Sequence, residues 1–226
     1  MLNELAPDLW EYRRPLRVGG LVPFPRRTTL VRLPDGGLWV HNVNKRDRPG
    51  VREAIADLGP VRALVAPNRF HHFWVEDWQR NHPEARLFGA PGLAEKERRL
   101  SVDATLGAEP DAQWGGVLES LVSEGHETLS EVVFFHRPSK TLIVADWVFN
   151  IGAEAPWLTR QVFRLNGCYG RLAPSRVFKA LASDMDAVRD TTRAICERWD
   201  FERVVMAHGE VAQAGPSELA KAFGVS

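Results

Sequence analysis

Apolar and polar positions are most clearly patterned between Gly125 and Asp146, in GHETLSEVVFFHRPSKTLIVAD. Val132, Val133, Phe134 and Phe135 form one run. Arg137-Pro138-Ser139-Lys140 follows, and a second run extends from Leu142 to Ala145. Two β-rich runs joined by a short Pro/Ser segment predict a hairpin. His126 enters one strand and Asp146 leaves the other. Such a hairpin can carry two metal-type ligands to one sheet edge. The alternative is an exposed loop histidine and a turn aspartate.

The rest of the chain divides by the same criteria. Residues 1–20 are mixed, with Trp10 and Tyr12 as packing anchors. TTLVR (28–32) and LWVH (38–41) flank Pro-Asp-Gly-Gly, whose last residues supply the positive φ of a hairpin turn. His41 and Asn42 follow that second strand. Val51, Ala54, Ile55 and Leu58 share one face of a helix over 49–58, with Pro near its start and Gly59-Pro60 at its end. RALVA (62–66) is a short buried strand. The stretch PNRFHHFWVEDW (67–78) bends into a helix reaching Asn81. A strand (86–90), a helix (91–100), a loop (101–116) and a strand (117–122) lead to the central hairpin. Residues 147–176 are irregular. Helices over 174–182, 186–199 and 216–223 and a strand over 203–207 complete the chain. Strand–helix units combined with hairpins predict a layered α/β fold with a mixed sheet.

At 226 residues, one large domain spanning 1–226 is expected, with 147–200 as a helical covering segment. Apolar residues make up 44%, enough for a sizeable core. Basic and acidic residues are both 29, so bulk charge favours neither nucleic acid nor an anionic membrane as a partner. No apolar run approaches the roughly 18 residues of a membrane span. The N-terminus is mixed and acidic, unlike a signal peptide, so the expected location is cytoplasmic. Cys168 and Cys196 make no disulfide framework and no paired-Cys metal motif.

Of the seven histidines, His71, His72, His126 and His208 lie just past predicted strands, as does Asp146. Strand ends along one sheet edge are where α/β proteins build sites. Imidazole and carboxylate donors suit zinc or iron ions. His82 and His136 fall in a loop and a turn and are read as surface residues. Glycine-rich phosphate loops and a Gly-x-Ser-x-Gly elbow are absent. Cys168, between glycines, would need a base brought from elsewhere to act as a nucleophile.

The order of these parts resembles the metallo-β-lactamase superfamily. GHETLSEVVFFHRPSKTLIVAD is similar to its Gly-His-Thr-x-Gly-Ser stretch and the strand pair ending in a bridging Asp, and AHGE (207–210) to its last His-Gly station. Pro67-Asn68, His71-His72, Ala90-Pro91-Gly92 and Ala145-Asp146-Trp147 resemble a sparsely characterised branch of unknown function. The resemblance covers most of residues 25–212. It implies a four-layer αββα sandwich with a metal site at one sheet edge. The motif is degenerate. Catalytic members carry His-x-His-x-Asp-His, whereas with His71 on the second motif His, Arg69, Phe73 and Trp74 replace a His, the Asp and the last His. A register slip of one would make His72 the ligand.

The resemblance therefore implies one Zn or Fe ion on His71 or His72, His126, Asp146 and His208. Phe70, Trp74 and Trp147, with Phe73 and Trp78, would line an apolar pocket for a small-molecule substrate. The implied function is a mononuclear metal-dependent hydrolase. The alternatives are a non-catalytic fold relic acting as a binding or scaffold protein, and an iron-dependent redox protein.

Overall fold

The central hairpin forms because its first strand is apolar on both faces and its turn residues tolerate a tight reversal. In the structure, a computed structural model describing residues 1–18, 20–45 and 49–225, β10 (Leu118–Val122), β11 (Val132–His136) and β12 (Thr141–Ile143) are antiparallel neighbours. Then β13 (Arg203–Val205) adds parallel to β12, and β14 (Ala212–Gln213) closes this sheet. Alternate side chains of β11 enter different cores. Val132 and Phe134 point toward the other sheet, while Val133 and Phe135 point outward, under helices. A strand buried on both faces explains the continuous VVFF run.

The other sheet runs in the order β1 (Asn3–Ala6), β2 (Leu9–Arg13), β5 (Arg27–Arg32), β6 (Leu38–His41), β7 (Val61–Ala66), β8 (Arg86–Gly89), β9 (Ala104–Thr105). The hairpin β5–β6 pairs antiparallel, and β6 through β8 are parallel. The inner faces of the two sheets share one core in which Leu9, Val31, Trp39, Val65 and Phe88 meet Leu118, Val132, Phe134 and Ile143. On the outer face of this sheet lie α1 (Pro49–Leu58), α2 (Val75–Asn81) and α3 (Leu93–Lys96). Val51, Ile55, Val75, Trp78 and Leu93 cover Leu30, Val40, Leu64 and Leu87. Outside the hairpin sheet, α5 (Arg176–Leu181), α6 (Met185–Arg198) and α7 (Pro216–Phe223) supply Phe178, Val188, Ile195, Leu219 and Phe223 to the remaining core. The layers are thus helix, sheet, sheet, helix.

Two regions differ from the sequence expectation. The mixed residues 1–20 contain β1, β2 and β3 (Leu16–Val18), the last pairing with β4 (Val22–Phe24) as a separate ribbon. The irregular stretch after Asp146 contains α4 (Trp157–Leu165). Leu158, Val162 and Leu165 recur at helical spacing, yet only Thr159 and Phe163 of α4 are buried, and Trp157 and Leu165 face outward. The segment is tied down by bridges from Phe149, Asn150 and Ile151 to Ala173, Gly209 and Tyr169.

His136 is not a surface residue. It ends β11, buried, with Nδ1 2.7 Å from Ser139 Oγ. Burial lowers its pKa to about 4, and lowers that of His41, stacked on Trp39, to about 3. Both fold as neutral rings but gain a proton on unfolding below about pH 6.5. Their contribution to stability is complete above that pH and is lost as pH falls toward 4 and then 3. Urea titrations around pH 5 should show stability falling by about 2–3 kcal/mol per pH unit, the signature of at least about two protons bound on unfolding. A flat profile between pH 6.5 and 4.5 would contradict the buried neutral rings.

Candidate metal centre

Three side chains from distant parts of the sequence meet at one edge of the sandwich. His71 comes from the loop after β7, Asp146 from the loop after β12, and His208 from the loop after β13. His71 Nε2 lies 3.0 Å from Asp146 Oδ2, His208 Nε2 lies 3.2 Å from Asp146 Oδ1, and the two Nε2 atoms are 3.2 Å apart. One ligand atom from each lies within 4.8 Å of the others. Donors held about 2.0–2.2 Å from a common ion at angles between about 90° and 110° would be roughly 2.8–3.6 Å apart.

The hydrogen bonds behind the rings decide which nitrogens carry protons. Asn42 Nδ2 donates to Arg27 O (2.7 Å), and Arg26 donates to Asn42 Oδ1 (2.7 Å), so Oδ1 is an acceptor. His71 Nδ1, 2.8 Å from that oxygen, must be the donor. His208 Nδ1 lies 2.5 Å from Pro25 O, which can only accept. In its neutral form each ring thus keeps its proton on Nδ1 and turns a bare Nε2 lone pair toward the other and toward a carboxylate. Burial pushes the His71 pKa down to about 4 against the opposing pull of Asp146, so the His71 ring is neutral at neutral pH. For Asp146, burial favours the neutral acid, but positive charge and hydrogen bonds from the His71 and His208 side outweigh it and hold the carboxyl well below its usual range, so the carboxylate draws a cation, whether proton or metal, to this point. An anion and two lone pairs facing one point are repulsive unless a cation sits among them. The donor set fits a zinc- or iron-type ion, with outer partners of the kind that fix metal-binding histidines.

Asp146 is positioned by a group that the sequence reading missed. Fully buried Glu131 accepts from the backbone N–H groups of Ala145 and Asp146 (each 2.7 Å) and Trp147 (3.3 Å). Asn68 Nδ2 bridges Glu131 Oε2 (3.1 Å) and Asp146 Oδ2 (3.0 Å). Burial, reinforced by Asp146, raises the Glu131 carboxyl to about 7 despite these donors. Glu131 was visible as a lone acid at the entrance to an apolar strand, a local inconsistency that marks special positions. Nothing local pointed to Asn42, except that it follows β6 and adopts a φ of 56°.

The remaining candidates lie elsewhere. His126 Nε2 is 3.1 Å from Phe178 O and must donate to it, while Nδ1 accepts from Leu129 N (3.3 Å). Neither nitrogen has a free lone pair, and His126 is outside the converging set. Its loop is fastened by Gly125, whose carbonyl accepts from Ser183 and Asp184. With φ of 77°, a Cβ on Gly125 would lie 2.2 Å from Asp184 O. His72 points away, with Nε2 3.4 Å from Glu97 and its ring stacked on Phe73. Phe70, His126, Leu129, Asp146, Val177 and Phe178 are among the residues lining a cavity of about 170 Å³ beside the centre. Trp74 lies under the Arg26 guanidinium, 4.7 Å from its carbon. Trp147 is fully buried against Phe178 and Phe223 and presents no surface to the cavity. Cys168 is also buried, and that burial pushes its thiol up to about 12, which removes it as a nucleophile.

Solved structures decide the fold. Along 99% of this chain and 96% of the other, it superposes on the DIM-1 metallo-β-lactamase with a TM-score of 0.70 at 14% identity. The chain has the metallo-β-lactamase fold. A metallo-β-lactamase from Pontibacter korlensis matches with a TM-score of 0.67 and 16% identity over 100% and 99% of the two chains. One from Hirschia baltica matches with a TM-score of 0.66 and 13% identity over 99% and 96%. No family model matches the sequence. Among curated proteins, the replication factor C large subunit of Archaeoglobus fulgidus is 27% identical over an alignment of 184 residues that covers 74% of this chain. The chain spans about a third (34%) of the length of that relative. The two comparisons point in different directions. The metallo-β-lactamase fold rests on three-dimensional agreement over the whole chain, and the edge carrying His71, Asp146 and His208 belongs to that fold.

Proposed function

We propose that this protein binds one divalent cation of the zinc or iron class on His71, Asp146 and His208 and is a metal-dependent hydrolase of a small, largely apolar substrate. The observation that carries this reading is the meeting of two bare Nε2 lone pairs and a carboxylate within 3.0–3.2 Å. Bound there, such a cation supplies Lewis acidity toward a carbonyl or phosphoryl centre. The chain's own residues do the rest. Asn42 and Pro25 O orient the rings, Asn68 and Glu131 hold the carboxylate, and Phe70, Val177 and Leu181 give the adjoining cavity an apolar wall for a substrate to pack against. A second reading, a metal-binding protein without turnover, is favoured by His126, which lines the cavity with both nitrogens already committed.

Elemental analysis of untagged protein purified without chelator should give about one metal equivalent per chain. Asn42→Leu, which removes the acceptor from His71 Nδ1, should weaken metal binding by about 10–100-fold. His71→Ala and His208→Ala should lose the metal, whereas His72→Ala and His126→Ala should keep it. Metal retained in His71→Ala but lost in His126→Ala would show that the wrong histidine had been placed at the centre. The identity of the ion separates a zinc hydrolase from an iron redox protein. Turnover of activated apolar esters separates both from a non-catalytic binder.

A further inference from the structure

A second, larger cavity lies on the other side of α5 from the candidate centre. Its volume is about 550 Å³, and Arg171, Arg176, Lys179 and Lys221 line it, with Glu218 as the sole acid among its lining residues. Among the described residues no carboxylate lies within 4 Å of any of these four cations, although Lys221 is near enough to Glu218 to help lower that carboxyl's pKa. Glu218 is already engaged, accepting from Gly215 N (2.9 Å) at the start of α7. The concentration of charge is local. Between residues 155 and 183 the chain carries Arg160, Arg164, Arg171, Arg176 and Lys179 but no Asp or Glu, although its net charge is zero.

Two of the guanidinium groups are brought together by a glycine. Gly167 adopts a φ of 79°, and the point where its Cβ would stand is 3.5 Å from Arg171 Nη2 and 3.8 Å from Arg176 Nε. Arg171 is held in place by donating from Nε to Gly167 O (2.7 Å). Its other donors and those of Arg176 stay available. Like charges gathered without counter-ions repel, and the loss is recovered when an anion enters. Planar guanidinium forks match phosphate oxygens in pairs, and the two lysines add point charges.

We propose that this cavity is a binding site for a multiply charged phosphate-class oxyanion, such as a di- or triphosphate group. Its volume exceeds what a single orthophosphate fills. Exposed Leu165, Val177 and Leu181 on the same covering segment leave two sources for the group, a soluble phosphate ester and a lipid headgroup.

Calorimetric titration with inorganic tripolyphosphate tests the site. One saturating equivalent is expected, with affinity falling as salt rises. Binding should weaken at least about tenfold in R171Q/R176Q/K179Q, as loss of several charge-assisted hydrogen bonds requires. A charge-matched variant elsewhere, R80Q/R99Q/R193Q, should bind normally. Asp146→Ala should also bind normally, because the site is independent of the candidate metal; loss there would place the anion on the metal instead. Vesicles containing phosphatidic acid separate the sources. Sedimentation with vesicles, reversed by tripolyphosphate, identifies a headgroup, and binding of tripolyphosphate alone identifies a soluble ligand. No saturable binding at low millimolar tripolyphosphate, or equal binding by R171Q/R176Q/K179Q, would overturn the proposal.

Discussion

Asp146→Ala is expected to yield a folded protein with no bound metal and, against any substrate the wild type hydrolyses, a rate lower by at least about 100-fold. Asp146 is the anionic member of the converging set, and both its oxygens face an imidazole nitrogen. Without it, two neutral rings remain, too few to retain the ion. The fold should survive. The backbone of residues 145–147 is held by Glu131 rather than by the Asp146 side chain. The one Asn68 N–H that loses its acceptor costs at most about 1–3 kcal/mol, since the amide keeps Glu131, partly offset because Glu131 no longer faces a neighbouring charge. Asp146→Asn is the stricter test, since it preserves shape and removes only charge. Elemental analysis and thermal melts of the two variants are the measurements. A full metal equivalent in Asp146→Asn would mean that the carboxylate is not a ligand.

Arg27→Ala should produce the largest loss of stability, about 3–5 kcal/mol. For a chain of this length that corresponds to a fall of roughly 10 °C in Tm. Arg27 lies in β5, 1% exposed, and connects three places at once. Its Nε donates to the Glu11 carboxylate, its Nη1 to Met206 O and its Nη2 to Gly209 O (2.7 Å). Truncation leaves the buried Met206 carbonyl and the part-buried Gly209 carbonyl without this donor. Among the described residues, Glu11 then keeps Arg13, which is half exposed, as its ion-pair partner. The lost bonds flank His208 directly. Its loop also depends on Gly209, where a Cβ would meet Asn150 O at 2.3 Å. Metal affinity should therefore fall together with stability, although Arg27 is not a ligand. Urea titration and a competitive metal assay measure the two effects. A Tm within about 2 °C of wild type would contradict the reading of Arg27 as the tie between the sheets.

Elements with a repeating apolar pattern could be read directly. The β5–β6 hairpin follows from Asp35-Gly36-Gly37, α1 from the spacing of Val51, Ile55 and Leu58, and the β11–β12 hairpin from VVFF and its turn. These are local: turn chemistry and periodicity act over a few residues, and tertiary packing did not overrule them. The short β1–β4 strands were not readable, because they are held by pairing partners and not by a periodic face of their own. The helix α4 was within reach, since Leu158, Val162 and Leu165 recur at helical spacing, although its buried residues are Thr159 and Phe163.

Placing histidines and an aspartate at strand ends along one sheet edge was within reach of the sequence alone, because an α/β layer order sends strand ends to common edges. Which of them meet was not. His71 and His126 are both histidines in loops next to strands of the sandwich, yet one turns a bare lone pair into the centre and the other has none to give. The difference lies in groups far away in the chain: Asn42, 29 residues before His71, and Phe178, 52 residues after His126. His208 likewise depends on Pro25 O, 183 residues earlier. Local sequence determines the residue types and their approximate positions. Ring orientation and proton placement depend on hydrogen-bond partners that only the packed sheets bring within about 3 Å, so the tertiary structure alone decided them.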